Sequence, residues 1–250
     1  MKPTYAARYH SRKPALPVWQ ILILIAGAWP SYRGAVYVMG RNFREVVPQR
    51  VYRSGQPDRE RLQAWIRRYK FKTIVNLRGP NAPFAAEEEA IATVMGLDVV
   101  HIELSAFRLI RSDQLAQVIE VLDTAKQPIL LHCAHGIDRA GTVSAMAAWL
   151  LGGRSYRRAK WQAYVPPGPW KHRNGSGHIS DMFNIYEDYC RAHGLSYDNP
   201  ARFRRWAANI YDPERYLTGL DAPSEVDTEP VRPSGASESV ADCFGRANPH

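Results

Sequence analysis

The hydrophobic and polar positions of this chain form two kinds of segment that alternate from residue 51 onward. Short apolar or β-branched runs predict buried strands, and they occupy residues 51–53, 72–77, 99–104 and 128–131. Apolar residues at helical spacing predict helices over residues 58–69, 85–95, 112–122, 142–151, 154–164, 180–192 and 200–208. Asp58 and Ser112 are expected to cap two of these helices. Because strands and helices alternate, we expect an α/β fold with a mainly parallel central sheet flanked by helices.

The N-terminal end of the chain does not follow this alternation. Residues 1–14 are basic and contain no acid, and residues 15–29 are apolar apart from Gln20. A basic segment followed by an apolar one is typical of a membrane anchor or a signal segment, which we place at residues 15–39. An uncleaved anchor is favoured, and the alternatives are cleavage near Ala28 and an amphipathic or buried helix. With the basic end inside, the folded body would lie outside the cytoplasm.

Composition narrows the class of protein. The chain has 250 residues and a formal net charge of +9. Its length suits one globular domain, which we predict over residues 43–212. The basic charge either attracts anionic partners or serves only solubility. Residues 221–250 are rich in Pro, Ser, Glu and Asp, so we expect a disordered tail there. Three cysteines argue against a disulfide scaffold, although Cys190 and Cys243 could pair in an oxidising compartment. The histidines lack the spacing of a zinc site, and we expect neither a metal nor a nucleic-acid partner.

The stretch from His132 to Thr142 carries the candidate chemistry, because it places Cys133 and Arg139 six positions apart around a small loop. A cysteine among backbone N–H groups at a helix N-terminus ionises readily, and its thiolate is a nucleophile. The same N–H groups can hold phosphoryl oxygens, and the planar fork of an arginine can grip two of them. The expected phosphate-binding residues are Ala134, His135, Gly136, Ile137, Asp138 and Arg139.

The flanks of this loop agree with that chemistry. Residues 128–131 predict a strand before it, and the alanine-rich residues 142–151, followed by Gly152 and Gly153, predict a buried helix after it. A loop between strand and helix lies at the carboxyl edge of a parallel sheet, where α/β proteins bind their ligands. The polar residues 171–178 could form a rim of this site, although an exposed loop without function is the more common outcome.

Three motifs of the chain resemble those of the cysteine-dependent protein tyrosine and dual-specificity phosphatase superfamily, specifically the bacterial dual-specificity-like phosphatases. They are VYRSGQP at residues 51–57, TIVNLR at residues 73–78 and the loop at residues 132–142. The resemblance covers residues 43–190 and implies a two-step reaction: phosphoryl transfer to Cys133, then hydrolysis of the cysteinyl-phosphate, with no metal and no cofactor. Many relatives from Gram-negative bacteria have a membrane segment before the first motif. We therefore expect a protein of the bacterial inner membrane with its catalytic domain in the periplasm.

The chain departs from the family in its general acid, the group that protonates the leaving oxygen. The family commonly places an aspartate on a mobile loop before the cysteine, but residues 104–108 contain none here. Asp138, inside the loop, is the substitute that we favour, since some bacterial relatives with an Asp-Arg pair at this point use it. Asp113 or Glu103 remain alternatives, as does the absence of any dedicated acid.

A second departure is Ala140, where the family commonly has a serine or threonine whose hydroxyl stabilises the departing thiolate. The nearest following hydroxyl, that of Thr142, lies two residues further along the chain. Because Ala140 itself has no hydroxyl, we expect slow breakdown of the covalent intermediate. The favoured function is that of a monomeric enzyme acting on phosphotyrosine, mixed phosphoprotein substrates or small phosphomonoesters. Two alternatives stay open: a phosphatase of phospholipid headgroups or inositol phosphates, and a membrane-bound phosphate-binding adaptor with little turnover.

Overall fold

A computed structural model of the chain describes Trp19, residues 42–163 and residues 178–218. The elements, in chain order, are β1 (Arg44–Val47), β2 (Val51–Gly55), α1 (Arg59–Tyr69), β3 (Thr73–Asn76), α2 (Ala85–Met95), β4 (Asp98–His101), α3 (Ser112–Thr124), β5 (Ile129–Cys133), α4 (Asp138–Leu150), α5 (Tyr156–Lys160), α6 (Met182–Ala192), α7 (Pro200–Asn209) and α8 (Pro213–Leu217). Short 3-10 turns follow α5 at Trp161–Ala163 and precede α6 at Ile179–Asp181.

The strands form one sheet in the order β1-β2-β5-β3-β4. β2, β5, β3 and β4 run parallel to one another, whereas β1, at one edge, is antiparallel to β2. The predicted mainly parallel sheet is therefore confirmed. β5 lies at the centre of the sheet, and its carboxyl end places Cys133 beside Gly55, the last residue of β2.

Helices cover both faces of this sheet, as predicted. On one face, α1 and α2 contribute Leu62, Ile66 and Ile91 to a cluster with Leu130 of the sheet. On the other face, α3, α4, α6 and α7 enclose a larger cluster that includes Cys133. Complete burial of a leucine or isoleucine side chain stabilises a fold by about 1.5–3 kcal/mol. The two clusters therefore fix the sheet between two helical layers.

Local sequence signals explain where the helices of the first face begin and end. The Asp58 carboxylate accepts a hydrogen bond from the backbone N–H of Arg61 at 2.9 Å, a cap that contributes about 1 kcal/mol to helix stability. α2 ends at Gly96, whose φ of 70° lies in the left-handed region that glycine adopts at helix ends. Both helices lie where the pattern predicts them.

The cap predicted for α3 is wrong. Ser112 is the first residue of α3, and the N-cap is Arg111. The Ser112 hydroxyl donates instead to the backbone carbonyl of Tyr211 at 2.7 Å, across 99 positions of the chain. A tertiary contact therefore takes the hydroxyl that the local pattern assigned to the helix end.

α4 begins at Asp138, earlier than the predicted residue 142. The end of the loop is already helical, so Asp138 and Arg139 occupy the first turn of α4. Ten of its 13 residues are buried, and its small alanine side chains allow the helix to lie close to the strands. α4 thereby ties the residues of the loop directly to the sheet.

The described residues after 153 are mainly helical, and most of their aromatic side chains fill the core as predicted, whereas Trp161, Tyr197 and Tyr216 are exposed. Tyr156, Phe183, Tyr186, Phe203 and Trp206 are each at most 2 % exposed. The edge strand β1 and the helix α8 are elements that the pattern did not predict, and α8 lies beyond the predicted end of the domain at residue 212.

Three predictions concern parts of the chain outside the described residues. They are the basic residues 1–14, the membrane anchor or signal segment at 15–39 apart from Trp19, and the tail at 221–250. Across residues 42–163 and 178–218, no helix has both the length and the apolar character that crossing a membrane requires. The membrane segment and the tail therefore stay predictions.

Candidate active site

Cys133 is the last residue of β5 and lies at the carboxyl edge of the sheet. Its side chain is 2 % exposed, and its Sγ accepts a hydrogen bond from the backbone N–H of Gly136 at 3.2 Å. A backbone donor aimed at the sulfur stabilises negative charge there. This is the arrangement that a thiolate nucleophile needs.

Gly136 makes the turn of the loop possible. Its φ of 68° lies in the left-handed region, and a Cβ at this position would lie 2.5 Å from the backbone nitrogen of Gly55 and 2.6 Å from the carbonyl carbon of Ser54. Any side chain at this position would collide with the end of β2. The motif at residues 51–57 and the loop therefore touch at their backbones.

Two hydrogen bonds from outside the loop hold its carbonyl groups. The backbone N–H of Gln56 donates to the carbonyl of Ala134 at 3.2 Å. The side-chain amide of Asn42 donates to the carbonyl of Gly136 at 2.6 Å. The loop is thereby held in shape from two sides.

Arg139 stands in the first turn of α4. Its Nη1 donates to the backbone carbonyl of Leu104 at 3.3 Å, which fixes the side chain against the segment after β4. Its Nε is buried and makes no hydrogen bond with any residue that the structure describes. A buried donor needs an acceptor to offset its desolvation, and a phosphoryl oxygen is such an acceptor.

Asp138 precedes Arg139, and 38 % of its side chain is exposed. The structure brings His178 to it, with Nε2 lying 3.2 Å from Oδ1 of Asp138. Nδ1 of His178 accepts the backbone N–H of Ser180 at 3.1 Å, so the neutral ring carries its proton on Nε2 and donates it to Asp138. His178 belongs to the predicted rim at residues 171–178, of which it is the described member.

The other two candidate acids are placed less favourably. Arg111 donates two hydrogen bonds to Asp113, at 2.9 and 2.8 Å, and these bonds lower the pKa of Asp113. A carboxyl group with a lowered pKa stays charged and is a poor proton donor. Glu103 is exposed, and its side chain lies across Gly79, where a Cβ would approach within 2.9 Å of it. Of the three candidates, Asp138 belongs to the loop of Cys133.

A buried polar group that the sequence did not reveal lies behind the loop, on the face covered by α1 and α2. Nε2 of His132 lies 2.8 Å from Oε2 of Glu88, and both side chains are at most 1 % exposed. The side-chain amide of Gln56 donates to the same carboxylate oxygen at 3.5 Å. Arg78 donates to the Gln56 side chain at 3.0 Å. This network connects the residue before Cys133 to helix α2.

The position after Arg139 offers no hydroxyl, because Ala140 is there and is fully buried. The hydroxyl of Thr142 is also buried, and it makes no hydrogen bond with the described part of the chain.

Cys190, on α6, is free and buried, and burial raises the pKa of its thiol. Cys243, considered above as its disulfide partner, lies outside the described residues.

Comparison with known proteins places the chain in a family. The family model described as "DSP-PTPase phosphatase fused to NAD+ Kinase" matches residues 28–164, more than half of the chain. No curated protein sequence matches it significantly.

Several solved structures are similar to the chain. The core catalytic domain of the PP-IP phosphatase SIW14 from S. cerevisiae is 24% identical, with a TM-score of 0.46, over 61% of this chain and 93% of that one. TpbA from P. aeruginosa is 24% identical, with a TM-score of 0.41, over 64% of this chain and 86% of its own. Tk-PTP is 22% identical, with a TM-score of 0.42, over 58% and 94%. On the family match, the chain belongs to the DSP-PTPase phosphatases and is a phosphoric monoester hydrolase of the protein-tyrosine-phosphatase type.

Proposed function

We propose that the chain hydrolyses phosphotyrosine or mixed phosphoprotein substrates through a cysteinyl-phosphate on Cys133. One observation carries the proposal: three groups converge on a single loop. They are Sγ of Cys133 with the Gly136 N–H aimed at it, the guanidinium of Arg139, and the partly exposed carboxylate of Asp138. A nucleophile, an anion holder and a proton donor are the parts that phosphoryl transfer needs.

In the first step, Sγ of Cys133 attacks the phosphorus atom. A P–S bond forms, the P–O bond to the leaving group breaks, and the proton of the Asp138 carboxyl group passes to the leaving oxygen. Arg139 and the backbone N–H groups of the loop hold the three non-bridging oxygens. They stabilise the charge that these oxygens carry in the transition state.

In the second step, water attacks the phosphorus of the cysteinyl-phosphate. Its proton passes to the Asp138 carboxylate, the P–S bond breaks, and the electron pair returns to Sγ of Cys133. Because Ala140 offers no hydroxyl to the departing sulfur, we propose that this second step limits turnover.

The side chains of the loop favour a substrate with a single phosphate. Between Cys133 and Arg139 the loop carries one histidine and no lysine or arginine. Ligands with several phosphates are held by several cations, and the loop supplies one, Arg139. This composition supports a phosphoprotein substrate over inositol phosphates and phospholipid headgroups.

We also propose that residues 15–39 anchor the protein in the bacterial inner membrane, with the phosphatase domain in the periplasm. The basic residues 1–14 before an apolar segment support this orientation. Protease added to intact spheroplasts should then degrade the domain. Protection from the protease would indicate the opposite orientation, and release of the protein by alkaline carbonate would contradict an anchor.

The proposed reaction is tested by hydrolysis of an aryl phosphate and of a phosphotyrosine peptide by the full chain. We expect Cys133→Ser to abolish turnover and Cys190→Ser, which changes a buried cysteine on α6, to preserve it. Activity that survives Cys133→Ser would contradict the cysteinyl-phosphate. Faster hydrolysis of an inositol phosphate than of the peptide would contradict the substrate class, and peptide binding without turnover would favour the adaptor.

A further inference from the structure

Arg53, in the middle of β2, is a fully buried charged residue with 0% exposure. β2 and β5 pair in parallel, with Arg53 opposite Leu131 and Gly55 opposite Cys133. Because side chains alternate along a strand, Arg53 projects from the same face of the sheet as Cys133. This is the face that α4 covers.

The guanidinium of Arg53 lies beneath the first turn of α4. A Cβ on Gly141 would lie 3.5 Å from Nη1 of Arg53 and 2.9 Å from the backbone carbonyl oxygen of Gln162. Gly141 therefore leaves the room that the guanidinium and its acceptor occupy. Nη1 donates to that carbonyl at 3.0 Å, whereas Nε and Nη2 are buried and make no hydrogen bond within the described residues.

No carboxylate in the described part of the chain forms an ion pair with Arg53. Outside the described residues, 1–41 and 164–177 contain no Asp or Glu, and the remaining acids lie in residues 219–250. A buried cation without a counter-charge is strongly unfavourable. Burial and repulsion by Arg44 lower the pKa of Arg53 to about 10, and the charge of Cys133 acts in the opposite direction. Within the described residues, the sulfur of Cys133, on the same face of the sheet, is therefore the anionic group that acts on Arg53.

We propose that Arg53 is the counter-charge of the Cys133 thiolate, a positioning residue that stabilises the negative sulfur from beneath the loop. It acts through the sulfur and does not touch the substrate. The positive charge of Arg53 adds to that of the N-terminal end of α4, which begins at Asp138 within the loop.

The consequence for turnover rests on the proposed function. When water hydrolyses the cysteinyl-phosphate, a P–O bond forms, the P–S bond breaks, the proton of water passes to Asp138, and the electron pair stays on Sγ. A cation beside the sulfur stabilises this leaving group. Arg53 thereby stabilises the departing thiolate, which a hydroxyl at position 140 would otherwise do and Ala140 cannot.

The test is the alkylation of Cys133 by iodoacetamide in the full chain, because the thiolate is the reacting form and the reaction needs no phosphatase activity. Arg53→Gln removes the charge but keeps an amide that can donate to the Gln162 carbonyl. Arg53→Lys keeps the charge. Arg50→Gln removes an exposed arginine just before β2 and is the control. Peptide mapping separates Cys133 from the other cysteines.

For each protein, the alkylation rate of Cys133 is measured from about pH 4 to about pH 10, and the pH at half of the limiting rate is its alkylation midpoint. We expect this midpoint to rise by about one pH unit in Arg53→Gln, because the thiolate loses its counter-charge. It should shift by less than about half a pH unit in Arg53→Lys and Arg50→Gln. A folded Arg53→Gln protein with the wild-type midpoint overturns the proposal. An equal rise in the Gln and Lys variants also overturns it, because packing and not charge would then be the cause.

A second measurement needs no change at Arg53 and can overturn the proposal even if Arg53→Gln does not fold. The thermal midpoints of the wild type and Cys133→Ser are compared at one pH below and one pH above the alkylation midpoint of the wild type. If the thiolate is the counter-charge, Cys133→Ser leaves Arg53 unpaired and lowers the thermal midpoint more at the higher pH. An equal difference at both pH values overturns the proposal. A chain that binds phosphate esters but never hydrolyses them would still show the effects on alkylation and on the thermal midpoint. Failure of the proposed phosphatase function is therefore distinguishable from failure of the role proposed for Arg53.

Discussion

His178 holds the carboxylate of Asp138 from a position 40 residues away in the chain, with 3.2 Å between Nε2 and Oδ1. The imidazole is 5% exposed, and its backbone N–H donates to the Asp181 carboxylate at 2.7 Å. The ring is therefore fixed, and its Nε2 proton keeps Oδ1 of Asp138 as an acceptor. A proton that Asp138 delivers to a leaving group then sits on Oδ2.

Replacement of His178 should impair proton delivery more than phosphate binding. We expect His178→Ala to slow hydrolysis of an ester with a poor leaving group by about ten- to a hundredfold, and of one with a good leaving group by less than about threefold. The reason is that a good leaving group departs without a proton. The measurement is kcat/KM for a series of aryl phosphates that differ in the acidity of the phenol.

His178→Gln provides the control, since its side-chain amide can donate to Asp138 from a similar position. It should recover most of the loss for the poor leaving group. If His178→Ala slows all esters of the series equally, His178 supports the fold of the loop and does not orient the acid.

Asp138→Asn should show the same leaving-group dependence in a stronger form. The amide has the shape of the carboxyl group but cannot supply an acidic proton, so we expect a loss of about 10²–10³ in kcat/KM for phenyl phosphate. Asp113→Asn, which removes a carboxylate already paired with Arg111, should change kcat/KM less than about twofold. A larger loss in Asp113→Asn than in Asp138→Asn would reverse the assignment of the acid.

The order of strands and helices could be predicted because its signals are local. The apolar run of β5, the Asp58 cap and the glycine that ends α2 each act within a few residues of the element that they define. The loop at residues 132–142 was identifiable for the same reason, since Cys133, Gly136 and Arg139 lie within seven consecutive positions.

What the sequence did not reveal depends on contacts between distant segments. His178 reaches Asp138 only because residues 178–181 fold back over the start of α4. Glu88 belongs to a run of three glutamates that is typical of a solvated helix face. Its helical spacing with Ala85 and Ile91, which are buried, was the one signal that it faces the core. Arg53 belongs to the motif at residues 51–57 that resembles the phosphatase superfamily, and the motif does not indicate that its side chain is buried. The burial follows from the pairing of β2 with β5.

Gly136→Ala should damage the loop through backbone collision. The new Cβ would lie 2.5 Å from the backbone nitrogen of Gly55. A residue with a Cβ also adds roughly 1–2 kcal/mol of backbone strain at positive φ. We expect loss of phosphatase activity and a lower free energy of unfolding in urea. Gly153→Ala is the matched control, because its φ of 64° is similar but nothing lies within 4 Å of the new Cβ. It should lose a similar strain energy and keep its activity; equal activity of the two variants would contradict the collision.

Glu88→Gln should destabilise the fold through the buried group behind the loop. The change removes the negative charge beside His132 at a site that is 1% exposed, and we expect a loss of about 1–3 kcal/mol in the free energy of unfolding. Glu89→Gln is the control: Glu89 is 53% exposed and pairs with His101, so its loss should be at most about 1 kcal/mol. Denaturant titration of the two variants measures both values. If Glu89→Gln lowers the free energy of unfolding as much as Glu88→Gln does, the buried pair of Glu88 and His132 stabilises the fold no more than the exposed pair of Glu89 and His101.

Ala140→Ser should accelerate breakdown of the cysteinyl-phosphate. A hydroxyl directly after Arg139 can donate to the departing sulfur, and the wild-type chain lacks this donor. For an ester with a good leaving group we expect the wild type to release a burst of about one equivalent of phenol before a slower steady state, the kinetic sign of an accumulating intermediate. In Ala140→Ser the burst should shrink and the steady-state rate should rise several-fold.

Ala145→Ser places the same hydroxyl at another buried position of α4, where Ala145 is 1% exposed. It therefore reports the cost of burying a hydroxyl in this helix without a sulfur to receive the hydrogen bond. We expect Ala145→Ser to keep the wild-type burst and steady-state rate. Rapid-quench measurement of phenol release decides the matter: a wild type without a burst would mean that formation of the cysteinyl-phosphate, and not its hydrolysis, limits turnover.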